Sequence, residues 1–483
     1  MPTTLLIICA VLVAALTAWI LIRKRSGTAT RDTDMPSTSG TDTLPYRRIP
    51  ESEHQIPRRY LDDNAMKVVY RLEDAGYEGY LVGGCIRDLL RGLKPKDFDI
   101  ATSAHPEEAE ELFRRGRLIG RRFKLLHVRF GREVIEVATF RASHDQDEVN
   151  RDQARTADTG MILRDNVYGT IEEDALRRDF TVNALYYDAK DHSILDFAGG
   201  YDDLKNNRLR MIGDANARYR EDPVRMLRAA RFAAKLNFDL DPDTANPIRD
   251  LAGLMRNVSP ARLFDEVLKL LQSGHGEASY RQLQRFGLFQ YLFPLTDLAL
   301  EDDTLPVETL IINALGNTDR RLAQGKSVTP AFLFAALLWY PLQQRIRELE
   351  PTSDLPPLPL LHEAANQVLG EQVKCTAIPR RFSTPVREIW ELQLRLPRRQ
   401  GKKADQLMEH PRFRAAYDLL LLRESSGEDL NGLGQWWTDY QVANPVNRRE
   451  MMPSNQDDKP KRKRRRRPRK HTPNSEHNQE KPM

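Results

Sequence analysis

Apolar residues recur at helical spacing over residues 61–75, where Leu61, Ala65, Val68, Val69 and Leu72 share a face and Gly76 stops the run. After that the period shortens and alternates. Residues 80–82 read as a strand, 86–91 as a helix ending at Gly92, 97–102 as a strand and 106–115 as a helix. Residues 124–130 and 133–139 predict a hairpin turning at Gly131. Residues 141–166 are polar and without period, which predicts a long loop of the kind that often carries function. From about residue 232 to 445 the spacing is helical with almost no strand signal, and 330–339 reads as a buried helix. The pattern predicts an α+β chain. A mixed α/β head spans 59–200, a helical neck 201–265 and a helical body 266–448.

The two ends differ from the rest. Residues 4–22 carry no charge and are followed at once by Arg23, Lys24 and Arg25. That length can span a bilayer core of roughly 30 Å, with the basic flank favouring a cytoplasmic main body. Residues 1–25 therefore read as an anchor-like segment, and 26–58, rich in Thr, Ser, Asp and Pro, as a linker. The chain's formal charge is +5. Residues 457–483 hold eleven Lys or Arg against four Asp or Glu, which is +7, so the remainder is −2 (5 minus 7). Such a run repels itself, so 449–483 reads as a disordered basic tail suited to polyanions. Cys9, Cys85 and Cys375 are far apart and lack metal-ligand spacing, which predicts a reducing compartment with no disulfide framework and no zinc site.

The candidate chemistry lies in the head. A strand ends in Gly83 and Gly84, and Arg87 follows one turn into a helix. Glycines admit a phosphate close to the backbone, and the arginine can add charge to a triphosphate site. Asp97 and Asp99 flank Phe98, so both carboxylates face one way while the ring faces the core. Paired carboxylates hold magnesium with substrate phosphates completing the shell, and a two-metal site drives in-line displacement at phosphorus. A third carboxylate is needed, and Glu136 and Asp179 are both candidates. Asp222, Arg225, Arg228 and Arg231, three residues apart in turn, share one broad helix face that could read a base and bind phosphates. In the body, residues 398–403 and 410–414 are basic and lie near Trp390, Phe413 and Tyr417, a combination that suits single-stranded nucleic acid.

Four motifs occur in a specific order. They are LVGG-x-x-RD at 81–88, D-x-D at 97–99, RRDFT-x-NA at 177–184 and EDP-x-R-x-LR-x-x-RF at 221–232. Together they resemble the nucleotidyltransferase superfamily of class II tRNA CCA-adding enzymes and bacterial poly(A) polymerases. The resemblance covers roughly 60–260. On the poly(A) polymerase side it continues through 330–341, 398–404 and 410–423 into an Arg/Lys-rich tail. It implies a nucleotidyltransferase-type head and template-independent transfer of AMP from ATP to an RNA 3′-hydroxyl, with release of pyrophosphate and promotion of RNA decay. CCA addition to tRNA is the alternative. It further implies two Mg2+ ions on Asp97 and Asp99, with Asp179 as a catalytic carboxylate. Gly83, Gly84 and Arg87 would lie at the triphosphate, and Arg178 and Asp179 at sugar and phosphates. Asp222, Arg225, Arg228 and Arg231 would lie on the base-selecting helix. The expected partners are single-stranded RNA 3′ ends, ATP and RNA degradation machinery. Residues 4–22 are foreign to the family pattern and suggest contact with the cytoplasmic face of the inner membrane.

Overall fold

The computed structural model describes residues 46–120, 124–142, 154–156, 162–165, 167–400 and 403–451. Residues 4–22 and the basic tail lie outside the described residues. Among the described residues no helix is long and apolar enough to cross a membrane.

The head is built on one sheet of eight strands. In chain order these are β1 (Arg47–Ile49), β2 (Gly79–Val82), β3 (Asp99–Thr102), β4 (Gly116–Ile119), β5 (Leu125–Phe130), β6 (Glu133–Thr139), β7 (Leu185–Asp188) and β8 (Ile194–Asp196). Across the sheet they run β1-β8-β7-β2-β3-β6-β5-β4. Every neighbouring pair is antiparallel except β3 and β6. The helix expected over 61–75 is α1 (Asp63–Asp74), started by Asp62, whose Oδ1 accepts from the N–H groups of Asn64 and Ala65 at 2.8 Å each. Val68, Val69 and Leu72 of α1 pack on one sheet face with Leu81, Ile100, Val128 and Val137. The other face buries Val82, Ala101, Phe140, Tyr186 and Leu195. Both faces are covered, so the central strands are apolar throughout and polar residues concentrate at strand ends.

That topology gathers the motifs at one end of the sheet. Val82 ends β2 opposite Asp99, the first residue of β3. The parallel neighbour β6 sets Glu136 directly beside Asp99. The N–H of Gly83 bonds the carbonyl of Leu185 at the start of β7, so the segment leading into β7 arrives at the same end.

Several expectations are corrected. Residues 46–57, expected as linker, supply edge strand β1 and a short helix, Glu51–His54. The helix expected over 106–115 stops at Leu112, and the unexpected strand β4 follows. Strand β3 begins at Asp99, leaving Asp97 in the connection before it. The loop expected over 141–166 includes two short antiparallel strands, Ala154–Thr156 and Ile162–Asp165. The head–neck boundary at 200/201 falls inside the helix Gly200–Lys205, and the neck–body boundary at 265/266 inside the helix Pro260–Leu271. Neck and body share one core, which starts at Phe180 and Val182 and continues to Tyr440. The basic body patches also differ from expectation: Trp390, Phe413 and Tyr417 are 0%, 6% and 5% exposed, so they are core residues with no free face for a base.

Candidate active site

The glycine turn comes first. Gly83 has φ 82° and ψ −131°, a conformation that L side chains avoid. It caps helix α2 (Gly84–Leu90). A Cβ at Gly83 would lie 3.5 Å from Nη1 of Arg178, and one at Gly84 would lie 3.5 Å from Nη2 of Arg87. A side chain at either glycine would sit in contact with one of two guanidinium groups.

Arg87 is placed differently from expectation. It is 2% exposed. Its Nη1 donates to Asn183 Oδ1 at 2.6 Å, and its Nε and Nη2 donate to Asp88 Oδ1 at 2.9 and 2.7 Å. It braces the floor of the glycine turn. Asn183 also donates from Nδ2 to Asp179 Oδ1 at 3.2 Å. Asp179 in turn receives a forked pair from Arg228, Nε at 2.8 Å and Nη2 at 2.6 Å, both to Oδ2. A continuous polar chain, Asp88–Arg87–Asn183–Asp179–Arg228, thus joins the head to helix α3 (Val224–Leu236) of the neck. Burial alone would raise the Asp179 carboxyl, but Arg228 and the hydrogen bonds hold it below the ordinary carboxylate range.

Arg178 lies beside the turn. Its Nε donates to Tyr186 Oη at 2.8 Å, and its Nη2 donates to Asp174 Oδ2 at 3.0 Å. Asp174 is 3% exposed and also accepts from the Tyr186 hydroxyl at 2.7 Å. Burial opposes charge on Arg178, and Tyr186 with Asp174 overcomes it, so this guanidinium stays charged.

The row expected on one helix face divides. Asp222 precedes α3, with φ −146°, and accepts from Arg262 Nη2 at 2.6 Å. Arg225 turns back to Glu221 Oε2 at 2.6 Å and to the carbonyl of Arg218 at 2.9 Å. Arg228 and Arg231 face the site. Both pack on Phe232, at 5.3 and 4.6 Å from the ring centroid, and Arg87 approaches the same ring at 5.5 Å. Arg231 Nε is buried and has no hydrogen-bond partner among the described residues. Burial, then the charges of Arg228 and Arg87, depress the Arg231 guanidinium. Lys235, one turn further, is depressed by partial burial and by Arg87 and Arg231. Arg87, Arg228, Arg231 and Lys235 thus cluster at the site, with Asp88, Asp179 and Glu266 among the carboxylates that act on them, and the depression of Arg231 and Lys235 marks a recess suited to a polyanion.

The carboxylates form the opposite wall. Asp99 is reachable by water yet sits in a recess. Burial first, then Glu136 and Asp97, push its carboxyl up to about 6, with Arg178 opposing. Glu136 stands beside it in register and lies 3.2 Å from Nε2 of His127. Both oxygens of Asp179 are engaged, whereas Glu136 stands in register with Asp99 and its charge acts on it. Among the described residues no group of three or more His, Cys, Asp or Glu is placed to hold a metal ion by itself.

Reading the sequence did not mark Asn183, Asp174, Tyr186, Phe232 or Lys235. Asn183 and Phe232 lie inside the quoted motifs, and the only signal for Lys235 is its spacing four residues after Arg231.

Carboxylates at the end of the central strands, beside a glycine turn and an arginine-bearing helix, define the nucleotidyltransferase class, and comparison with known proteins agrees. Residues 79–210 match the family model described as poly A polymerase head domain. Residues 237–300 match the probable RNA and SrmB-binding site of polymerase A, and 353–471 the polymerase A arginine-rich C-terminus. Poly(A) polymerase I of Salmonella typhimurium is 51% identical over 431 residues, covering 89% of this chain and 93% of that one. A CCA-adding enzyme of Lactobacillus helveticus is 38% identical over 217 residues, covering 45% of this chain and 52% of the other. The solved CCA-adding enzyme of Bacillus stearothermophilus in complex with CTP superimposes with a TM-score of 0.51 at 25% identity, covering 78% of this chain and 80% of that one. The chain belongs to the poly(A) polymerase I family and is a polynucleotide adenylyltransferase.

Proposed function

We propose that the site joins AMP from ATP to the 3′-hydroxyl of single-stranded RNA. The hydroxyl gives up its proton to solvent as its oxygen forms a bond to the α-phosphorus, the bond to the β-phosphate bridging oxygen breaks, and pyrophosphate leaves with the electron pair. The observation that carries this reading is the pairing of two walls: Asp97, Asp99 and Glu136 on one side, and Arg178, Arg228, Arg231 and Lys235 on the other. The orphaned Nε of Arg231 and the lack of side chains at Gly83 and Gly84, beside Arg178 and Arg87, fit a triphosphate. Arg87 and Asn183 act beneath it as positioning residues. Asp179 aims Arg228, and Asp222 and Arg225 shape the helix start beside the base.

The oxygen-only donor set, and the burial and mutual repulsion that together raise Asp99, fit a hard divalent cation. Asp97 and Asp99, with Glu136 as third carboxylate, would hold Mg2+, and substrate phosphates would complete the shell. When bound, such ions lower the charge barrier to in-line displacement. CCA addition is the less favoured reading, because similarity to the CCA-adding relative stops at about half of the chain whereas similarity to poly(A) polymerase I spans 89% of it. The body and the basic tail would bind RNA. Contact with RNA degradation machinery, and membrane contact through residues 4–22 at the cytoplasmic face, complete the proposal.

The test is Asp97→Ala in the full chain. Extension of an RNA primer with ATP should be lost while RNA binding by filter retention stays within about twofold. Retained extension would remove Asp97 from the chemistry.

A further inference from the structure

The helical body contains a cavity of ≈ 750 Å³ that the head site does not use. It lies among four helices: Val307–Ala323, Pro330–Leu337, Arg380–Arg395 and Phe413–Ser425. Its wall is apolar, with Phe332, Pro385, Ile389, Ala415 and Leu421 among the residues that form it. Four arginines line it in two pairs from two separate segments, Arg320 with Arg321 and Arg412 with Arg414. Against them stand two carboxylates, Asp418 and Glu424.

The arginines are committed unequally. Arg412 Nε donates to Glu388 at 2.8 Å, Arg414 pairs with Asp418 at 2.9 Å, and Arg320 donates to Asn317. Glu424 is taken by the N–H of Gly434 at 2.8 Å. The Arg321 guanidinium makes no hydrogen bond or ion pair of its own among the described residues, and its charge reaches Asp418 through space. Cavities of this size accept one medium-sized organic ligand. An apolar slot accepts a flat ring, and guanidinium groups accept phosphate. A nucleotide inside a strand carries a phosphate on both sides of its sugar. A free nucleotide carries its phosphates on one side only, so two separate pairs of arginines fit the strand better.

We propose that this cavity holds one nucleotide of the RNA strand upstream of the growing 3′ end. The base enters the apolar slot, and the flanking phosphates lie against Arg321 on one side and Arg412 on the other. The assignment rests on the RNA reading of the head site and adds to it a second, separate grip on the same strand. Primers long enough to reach both sites gain affinity, and short ones do not.

Two full-length variants test it. Ala415→Trp fills the slot without removing a functional group, and Arg321→Glu reverses the uncommitted charge. Steady-state extension is measured with a long oligoadenylate and with a dinucleotide primer. In both variants KM for the long primer should rise about tenfold, while KM for the dinucleotide and for ATP stays unchanged. An unchanged KM for the long primer in Arg321→Glu overturns the proposal, whatever the folding of Ala415→Trp. An equal rise for both primers also overturns it, because the damage would then lie at the head. Inhibition by AMP that Arg321→Glu abolishes, with the long primer's KM unmoved, would put a free nucleotide in the cavity and overturn the strand assignment. If the wild type extends neither primer, the proposed function fails, and filter binding of the long oligoadenylate to Arg321→Glu still decides the cavity.

Discussion

Asp179→Asn separates two roles for one carboxylate, ion ligand and positioning group. In the wild type, Oδ2 takes the Arg228 fork at 2.8 and 2.6 Å, while Oδ1 accepts from Asn183 Nδ2 at 3.2 Å and the Phe180 N–H at 2.8 Å. Asparagine keeps the shape and one acceptor but removes the charge that anchors Arg228. Breaking a buried ion pair from one side costs about 3–5 kcal/mol. The Asp179 and Arg228 side chains are 13% and 33% exposed, so water recovers part of that for the arginine. The expected loss is about 2–3 kcal/mol, read from urea unfolding. A cycle with Arg228→Gln should show a coupling of about 1–3 kcal/mol. The sign with pH follows from the lowered Asp179 carboxyl. Its contribution is full above the ordinary value of 3.8 and is lost as pH falls through the folded value, so the gap between wild type and variant narrows only below about pH 4. With Arg228 unanchored, kcat/KM for ATP should fall at least about tenfold while the Mg2+ needed for half-maximal rate stays within about twofold. A tenfold rise in that Mg2+ requirement with unaltered stability would refute the reasoning and make Asp179 an ion ligand.

Three other outcomes follow from the same geometry. Gly83→Ala forces a side chain into φ 82° and should cost about 1–2 kcal/mol of stability, with a raised KM for ATP because the methyl occupies the phosphate approach; an unaltered KM would remove the turn from the nucleotide site. Glu136→Gln removes one of the charges that raise Asp99, so the ion-free protein should become more stable above about pH 6 while the Mg2+ requirement rises about tenfold; an unchanged requirement would return the third-carboxylate role to another residue. Ending the chain after Met452 removes the basic run, so RNA affinity should fall and its dependence on salt should flatten, and an unchanged slope would show that the run touches no phosphate.

Much of the head was legible because its signals are local. Phe98 is buried between two exposed aspartates, as the alternation of residue types at 97–99 predicted, although only Asp99 lies on the strand. The glycine turn was marked by composition, and its positive φ at Gly83 is what that composition serves. What escaped depends on long-range pairing. Glu136 was a candidate as a lone charge in an apolar run, but its place beside Asp99 comes only through the parallel register of β3 and β6, which no local pattern states. Asn183 reads as an ordinary polar residue until the fold sets Arg87 on one side of it and Asp179 on the other. Strands β1 and β4 are short sheet edges with charged residues, where alternation is weak. Helical spacing with nearby arginines made Trp390, Phe413 and Tyr417 resemble a stacking surface, but helix packing used those rings for the core.

The central claim is adenylate addition to RNA, and one incubation tests it. The purified full chain is given unstructured RNA and a tRNA lacking its terminal CCA, with ATP and CTP supplied separately and together. The account predicts long adenylate tails on the unstructured RNA with ATP alone, and no such product with CTP alone. Completion of the trimmed tRNA with consumption of CTP, without tailing of the unstructured RNA, would contradict it.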